Sequence, residues 1–142
     1  MADARPPRVN TLPGFLEYHR TVGGPELLAF TAATGDDNRI HHDVTYAQAV
    51  GMPDRIAHGI LVQGIMSTAC TRWAERERLR ILSGGWDRVR FLRTVIVGDT
   101  ISAAYALEDP TDSGRRRRAL ADAWNQRGEL VAVGVHLLHV LD

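Results

Sequence analysis

At 142 residues, the chain is long enough for one domain that buries about two thirds of the surface its unfolded form exposes. Hydrophobic residues make up 44% of it, an ordinary globular share, and no apolar run approaches the roughly 20 residues of a membrane-spanning helix. Seventeen basic and seventeen acidic residues cancel, so nothing in the charge favours nucleic acid as a partner. Every basic residue is Arg, which excludes a Schiff-base or P-loop lysine. Met1 to Asn10 lack the apolar core of a signal peptide, so the expectation is a cytoplasmic protein without a membrane partner. Cys70 is the only cysteine. It excludes an internal disulfide and a cysteine-built zinc site, and reads as a small packed residue.

Residues 1–12 read as a flexible lead and 13–142 as the domain, with Pro13-Gly14 as a turn and Phe15 to Val22 as a first short segment, a strand in the final topology. Gly23-Gly24-Pro25 breaks the chain, and proline in a first turn followed by Glu26 predicts a helix from about Pro25. Leu27, Leu28, Phe30, Ala32 and Ala33 predict that this helix is largely buried. Thr45 to Val50 predicts one or two further helical turns, with Tyr46 and Val50 on one face. From Gly59 to about Arg80, Ile60, Leu61, Ile65, Met66, Ala69 and Trp73 repeat at helical spacing, and charged residues crowd the far end.

After Ser83-Gly84-Gly85 the texture becomes that of strands: Trp86 to Val97, Thr100 to Leu107, Arg115 to Trp124 and Leu130 to Val140. Val89 and Phe91 alternate with Arg88 and Arg90, as in a sheet with one dry and one wet face. One long apolar helix followed by consecutive antiparallel strands predicts an α+β domain, a single sheet wrapped around a central helix in the hot-dog manner.

The chemistry concentrates in Gly35-Asp36-Asp37-Asn38-Arg39-Ile40-His41-His42-Asp43, which places a carboxylate, an amide and an imidazole in one short loop. Asp36 and His41 can hold a water between them, one accepting a proton while the other donates. Ala57-His58-Gly59 enters the long helix, whose N-terminal N–H groups and partial positive charge can polarise a carbonyl that gains negative charge. Glycine at 59 lets a ligand approach the backbone, which makes its amide the candidate oxyanion donor. In isolation, Gly-Asp-Asp-Asn is also ordinary turn and cap chemistry. If the loop is extended, His42 points away from Asp36 and His41 into a solvent or packing role. His58 reads as a brace for the loop, since either ring nitrogen can bond. A metal on His41, His42, Asp43 and His58 has the right donor types but mixed spacing, and no metal or cofactor is expected.

Phe30 to Asp43, then Ala47, then Gly51-Met52-Pro53-Asp54-Arg55-Ile56-Ala57-His58-Gly59 together resemble the MaoC-like hot-dog hydratases and dehydratases. Val89-Arg90-Phe91 and Val97-Gly98-Asp99-Thr100 extend the likeness to about residues 20–142. The resemblance implies Asp36 and His41 as the catalytic dyad, Asn38 as a loop-shaping residue, and the Gly59 amide against a thioester carbonyl. It implies 2-enoyl or (3R)-hydroxyacyl thioesters of CoA or a carrier protein as substrates, in fatty-acid or polyketide metabolism. It also implies a homodimer with one continuous sheet, or pairing with a related hot-dog subunit. Arg39 departs from the pattern, since the family usually has proline after the asparagine; proline would stiffen the loop, whereas arginine offers a charge to solvent, a phosphate or an acidic partner. The Arg115 to Arg118 run would alternate across an edge strand as a solvated face, or touch CoA phosphates or a carrier. Two rival readings remain: a hot-dog thioesterase, and a non-catalytic subunit of a heteromeric dehydratase.

Overall fold

The computed structural model describes residues 9–141. The apolar stripe predicted from Gly59 forms helix α3 (Gly59–Arg76), which buries Val62, Ile65, Met66, Ala69, Cys70, Trp73 and Ala74 at three- and four-residue spacing. Around it curve five antiparallel strands: β1 (Leu16–Thr21), β2 (Arg80–Phe91), β3 (Thr100–Leu107), β4 (Arg116–Trp124) and β5 (Leu130–Leu141), in the order β1-β3-β4-β5-β2. Two shorter helices, α1 (Gly24–Thr34) and α2 (Val44–Ala49), lie between β1 and α3. This is an α+β hot-dog fold.

The face towards α3 carries Ala103, Ala119, Ala121, Ala123 and Ala132, all fully buried. Such short side chains let the helix lie close to the sheet, and the space left is filled by Tyr105 against Trp73, ring centroids 5.6 Å apart. Each fully buried large apolar side chain adds on the order of 2 kcal/mol of transfer free energy. The outer face has a smaller cluster of Val9, Ala104, Ala106, Leu120 and Val135. Val9 is wholly buried, and its N–H donates to Asp122 Oδ2 at 3.3 Å. Packing therefore starts inside the stretch expected to be a flexible lead; residues 1–8 of that lead lie outside the described residues.

Four further expectations are corrected. Helix α3 ends at Arg76 rather than near Arg80: Arg78 takes φ 57°, and the Leu79 N–H closes the end on the Ala74 carbonyl at 2.9 Å. β2 begins at Arg80 rather than Trp86, because Ser83-Gly84-Gly85 is a register shift inside a strand and not a turn before one. β4, which holds Arg116 to Arg118, is an interior strand paired with both β3 and β5. Helix α1 is largely exposed: Leu27 is buried, but Leu28 beside it is 64% exposed, since adjacent residues sit about 100° apart around a helix. Among the described residues, no helix is long and apolar enough to cross a membrane.

Candidate active site

The loop after α1 is shaped by its first residue. Gly35 caps the helix at φ 80°, its N–H donating to Thr31 O at 2.8 Å, and this left-handed turn folds Asp36 back over the last helical turn. There Thr31 Oγ1 donates to the Asp36 carbonyl at 2.8 Å. Asn38 Oδ1 accepts from the Ile40 N–H at 3.2 Å and starts the short 3₁₀ turn Arg39–His41. Asp43 then caps α2 by accepting from the Tyr46 N–H at 3.0 Å. Arg39, in the place where the family has proline, bonds Asp43 at 2.7 Å and lies 4.7 Å over the Tyr46 ring. That bond, ahead of the Tyr46 N–H, holds the Asp43 carboxyl below its usual range. An ion pair and a ring contact thus brace the loop that a proline would stiffen.

His41 is buried at 8% exposure, and its Nδ1 lies 2.7 Å from the Ile56 carbonyl. A carbonyl only accepts, so Nδ1 carries the proton, and in the neutral ring Nε2 is a bare acceptor. His58, 3% exposed, stands at the entry of α3 and stacks on His41 with centroids 3.7 Å apart and planes 26° apart. Phe30 lies 4.5 Å from the His58 ring. His58 Nε2 donates to the Asp36 carbonyl at 3.1 Å, so the one carbonyl is held by both Thr31 and His58. Burial, ahead of the other causes, lowers the His58 pKa from its ordinary value; its Nδ1 has no hydrogen-bond partner among the described residues. His42 bonds Thr31 Oγ1 at 2.7 Å and sits 6.3 Å from His41, in a packing role.

One donor atom each from Asp36, His41 and His58 lies within 4.8 Å of the other two. These are also metal-ligand types, but the arrangement is a poor one for a shared ion. Imidazole lone pairs lie in the ring plane, so two stacked rings send them side by side instead of converging, and His58 Nε2 is already a donor to Asp36.

A cavity of about 370 Å³ opens beside the cluster, lined by His41, Ala57, Gly59, Val62 and Phe91 among others. Gly59 has a packing reason beyond ligand approach: a Cβ there would come within 2.7 Å of the Phe91 ring. Of the residues singled out in the sequence, Asp36, His41 and His58 come together, Gly59 shares the cavity with His41, and Asn38 acts on the loop backbone. Thr31, Ile56 and Phe91 carried no expected site role. Thr31 had a signal, a hydroxyl one helical turn before the capping glycine; the other two act through a backbone carbonyl and a distant strand.

Fold and site together define a hot-dog domain whose Asp36–His41 loop meets His58 at the N-terminus of the central helix. The MaoC-like domain model matches residues 14–123, and the chain belongs to that family. Among solved structures, the (R)-hydratase PhaJ1 of Pseudomonas aeruginosa is 27% identical, with a TM-score of 0.76 over 90% of this chain and 80% of that one. The (R)-hydratase of A. caviae involved in PHA biosynthesis is 20% identical, with a TM-score of 0.79 over 89% and 94%. The HadBC (3R)-hydroxyacyl-ACP dehydratase complex of Mycobacterium tuberculosis is 18% identical, with a TM-score of 0.74 over 87% and 93%. At such identities the last two show the shared fold. No curated protein matches the chain in sequence.

Proposed function

We propose that the protein catalyses the reversible hydration of 2-enoyl thioesters, equivalently the dehydration of (3R)-hydroxyacyl thioesters, carried on CoA or on a carrier protein. The observation that carries this reading is the convergence of Asp36 on His41, which with Gly59, the first residue of α3, lines one cavity. In the hydration direction, a water held by the Asp36 carboxylate and His41 Nε2 adds its oxygen to Cβ and leaves a proton on the dyad. The C=C electrons move to the thioester oxygen, where the Gly59 N–H and the positive end of α3 meet the developing charge. Collapse of this enolate takes a proton from the dyad at Cα, so one water is consumed and the dyad is restored. His58 serves as the brace, holding the Asp36 backbone and one face of His41. Asn38 serves by fixing the turn that carries His41.

A homodimer accompanies this reading, with a related hot-dog chain as the alternative partner. β2 is an edge strand of 12 residues, and Leu82, Phe91 and Leu92 at or just beyond it are each about half exposed. An unpaired edge of this length invites a second strand. Sedimentation at equilibrium distinguishes a monomer from a pair.

The test is loss of enoyl-thioester absorbance with 2-enoyl-CoA of short and medium length. Wild type consumes the substrate, while Asp36→Asn and His41→Ala, both folded by circular dichroism, lose at least about a hundredfold in kcat, the lower range for a positioned acid/base. A folded Asp36→Asn protein that keeps most of its activity would refute the mechanism, and release of free thiol without hydration would favour a thioesterase.

A further inference from the structure

The cavity beside His41 has one sign of charge. Arg93 is among its lining residues, and of these it alone carries a permanent charge; no aspartate or glutamate lines the cavity. The N-terminal end of α3 at Gly59 opens on the same space and adds its partial positive charge. Apart from His41 and Thr94, the other lining side chains are apolar or absent.

Arg93 is half-buried and follows the end of β2, where the Leu92 and Arg93 N–H groups both reach the Val131 carbonyl, at 2.8 and 3.4 Å. It makes no ion pair among the described residues, in contrast to Arg39, Arg55, Arg118 and Arg127. The acid that feels its charge is Glu129, already bonded to Asn125 at 2.7 Å and to Arg127 at 3.0 Å. A guanidinium cannot shed its proton, and one that is partly removed from water without a carboxylate in direct contact gains when an anion enters beside it.

We infer that Arg93 recognises an oxyanion on the substrate, so that the cavity takes thioesters bearing a phosphate or a carboxylate. The inference rests on the hydratase reading. The anion has two possible sources: the phosphate of a phosphopantetheine arm, or a carboxylate on the acyl group.

Four thioesters separate these sources in the absorbance assay: crotonyl-phosphopantetheine, crotonyl-pantetheine, and the butenedioyl monothioesters of each carrier. Wild type prefers the anion-bearing compound at the relevant end by about ten- to a hundredfold in kcat/KM, the range for a hydrogen bond to a charged group. A preference set by the phosphate identifies the arm, and one set by the carboxylate identifies the acyl group. Arg93→Gln abolishes the preference through KM, with a larger loss on the anion-bearing compounds than on crotonyl-pantetheine, and Arg93→Lys keeps most of it. Equal losses on all four compounds, or none, overturn the inference. If no compound is hydrated, the hydratase reading fails on its own, and calorimetry with the unreactive S-butyl thioether of phosphopantetheine and with butanedioic acid still decides. Weaker binding of either by Arg93→Gln supports the anion site, and equal binding of both by the two proteins overturns it.

Discussion

Gly59→Ala tests whether the helix entry and the strand wall of the cavity are one mechanical unit. The added methyl would lie 2.7, 2.8 and 3.0 Å from three atoms of the Phe91 ring, about 1 Å inside the separation of roughly 3.5–4.0 Å at which carbon atoms attract. Forced overpacking of this kind costs about 1–3 kcal/mol, and alanine offsets up to about 1 kcal/mol of it because glycine is the poorer helix former. Phe91 is 47% exposed, so the ring has room to swing outward. The expected net loss is therefore about 1 kcal/mol, with the ring displaced from its place on the cavity wall.

The diagnostic is a double-mutant cycle. With Phe91→Ala the obstacle is gone, and Gly59→Ala becomes neutral or stabilising, so the two substitutions couple by about 1–2 kcal/mol where independent sites add within about 0.5 kcal/mol. Urea unfolding of the four proteins measures the coupling, and the enoyl absorbance assay follows whether activity is restored with it. Additive stabilities would refute the claim that Phe91 is what requires glycine at 59.

Arg39→Pro should be tolerated. Asn38 already holds φ −52° and ψ 127°, which suits a residue before proline; a rigidity gain of about 0.4–1 kcal/mol offsets the loss of an exposed, solvent-screened ion pair. A melting-temperature loss of more than a few degrees would show that Arg39 does more than brace Asp43 and Tyr46. His136 is 1% exposed, its ring nitrogens on Tyr105 at 2.8 Å and Ser83 at 2.9 Å, and burial lowers its pKa from 6.5 to about 4. Between those values the unfolded chain binds the proton and the folded one does not, so stability declines as pH falls from 6.5 towards 4, by about 3 kcal/mol at 1.36 per unit. His136→Gln should flatten that part of the stability curve, and an unchanged slope contradicts the assignment. Burial pushes the Cys70 thiol up to about 11, so thiol reagents should modify it only as fast as the protein opens; fast labelling in native buffer would place it nearer the surface. Asp99, 4% exposed, is held below its usual carboxylate range: burial opposes this, but Arg127, Gln126 and the Ile96 N–H outweigh it. Asp99→Ala should lose about 1–3 kcal/mol, measured by urea unfolding, since the half-buried Ile96 N–H loses its acceptor, while the exposed Arg127 keeps Glu129.

What the sequence disclosed and what it hid follow one division. Signals within a few residues of each other were readable: the Gly35 to His41 loop, the stripe of α3, and the strands β3 to β5. Gly84-Gly85 was misread because a turn and a bulge use the same residue for different reasons. At Gly84 the reason is the partner strand, where a Cβ would meet His139 Nε2 at 2.9 Å and the Leu137 carbonyl at 3.2 Å. Neither neighbour is local, so no window around residue 84 contains them. Leu28 departs for a different reason: adjacent residues sit about 100° apart around α1, so of the two neighbouring leucines only Leu27 turns inward.

The site shows the same division at closer range. Asp36, His41 and His58 could be named as chemistry-bearing from their local setting, but their protonation pattern could not. The Ile56 carbonyl assigns the proton of His41 to Nδ1, and the Asp36 carbonyl assigns that of His58 to Nε2. Both are backbone atoms, which any residue type supplies, and they leave no trace in the sequence. Substituting Ile56 or the Asp36 side chain would leave those two carbonyls in place, so mutagenesis of side chains alone would assign too much of the site to Asp36 and His41. The bare Nε2 of His41 depends on the path of the loop, which Gly35, Asn38 and the Arg39–Asp43 pair set.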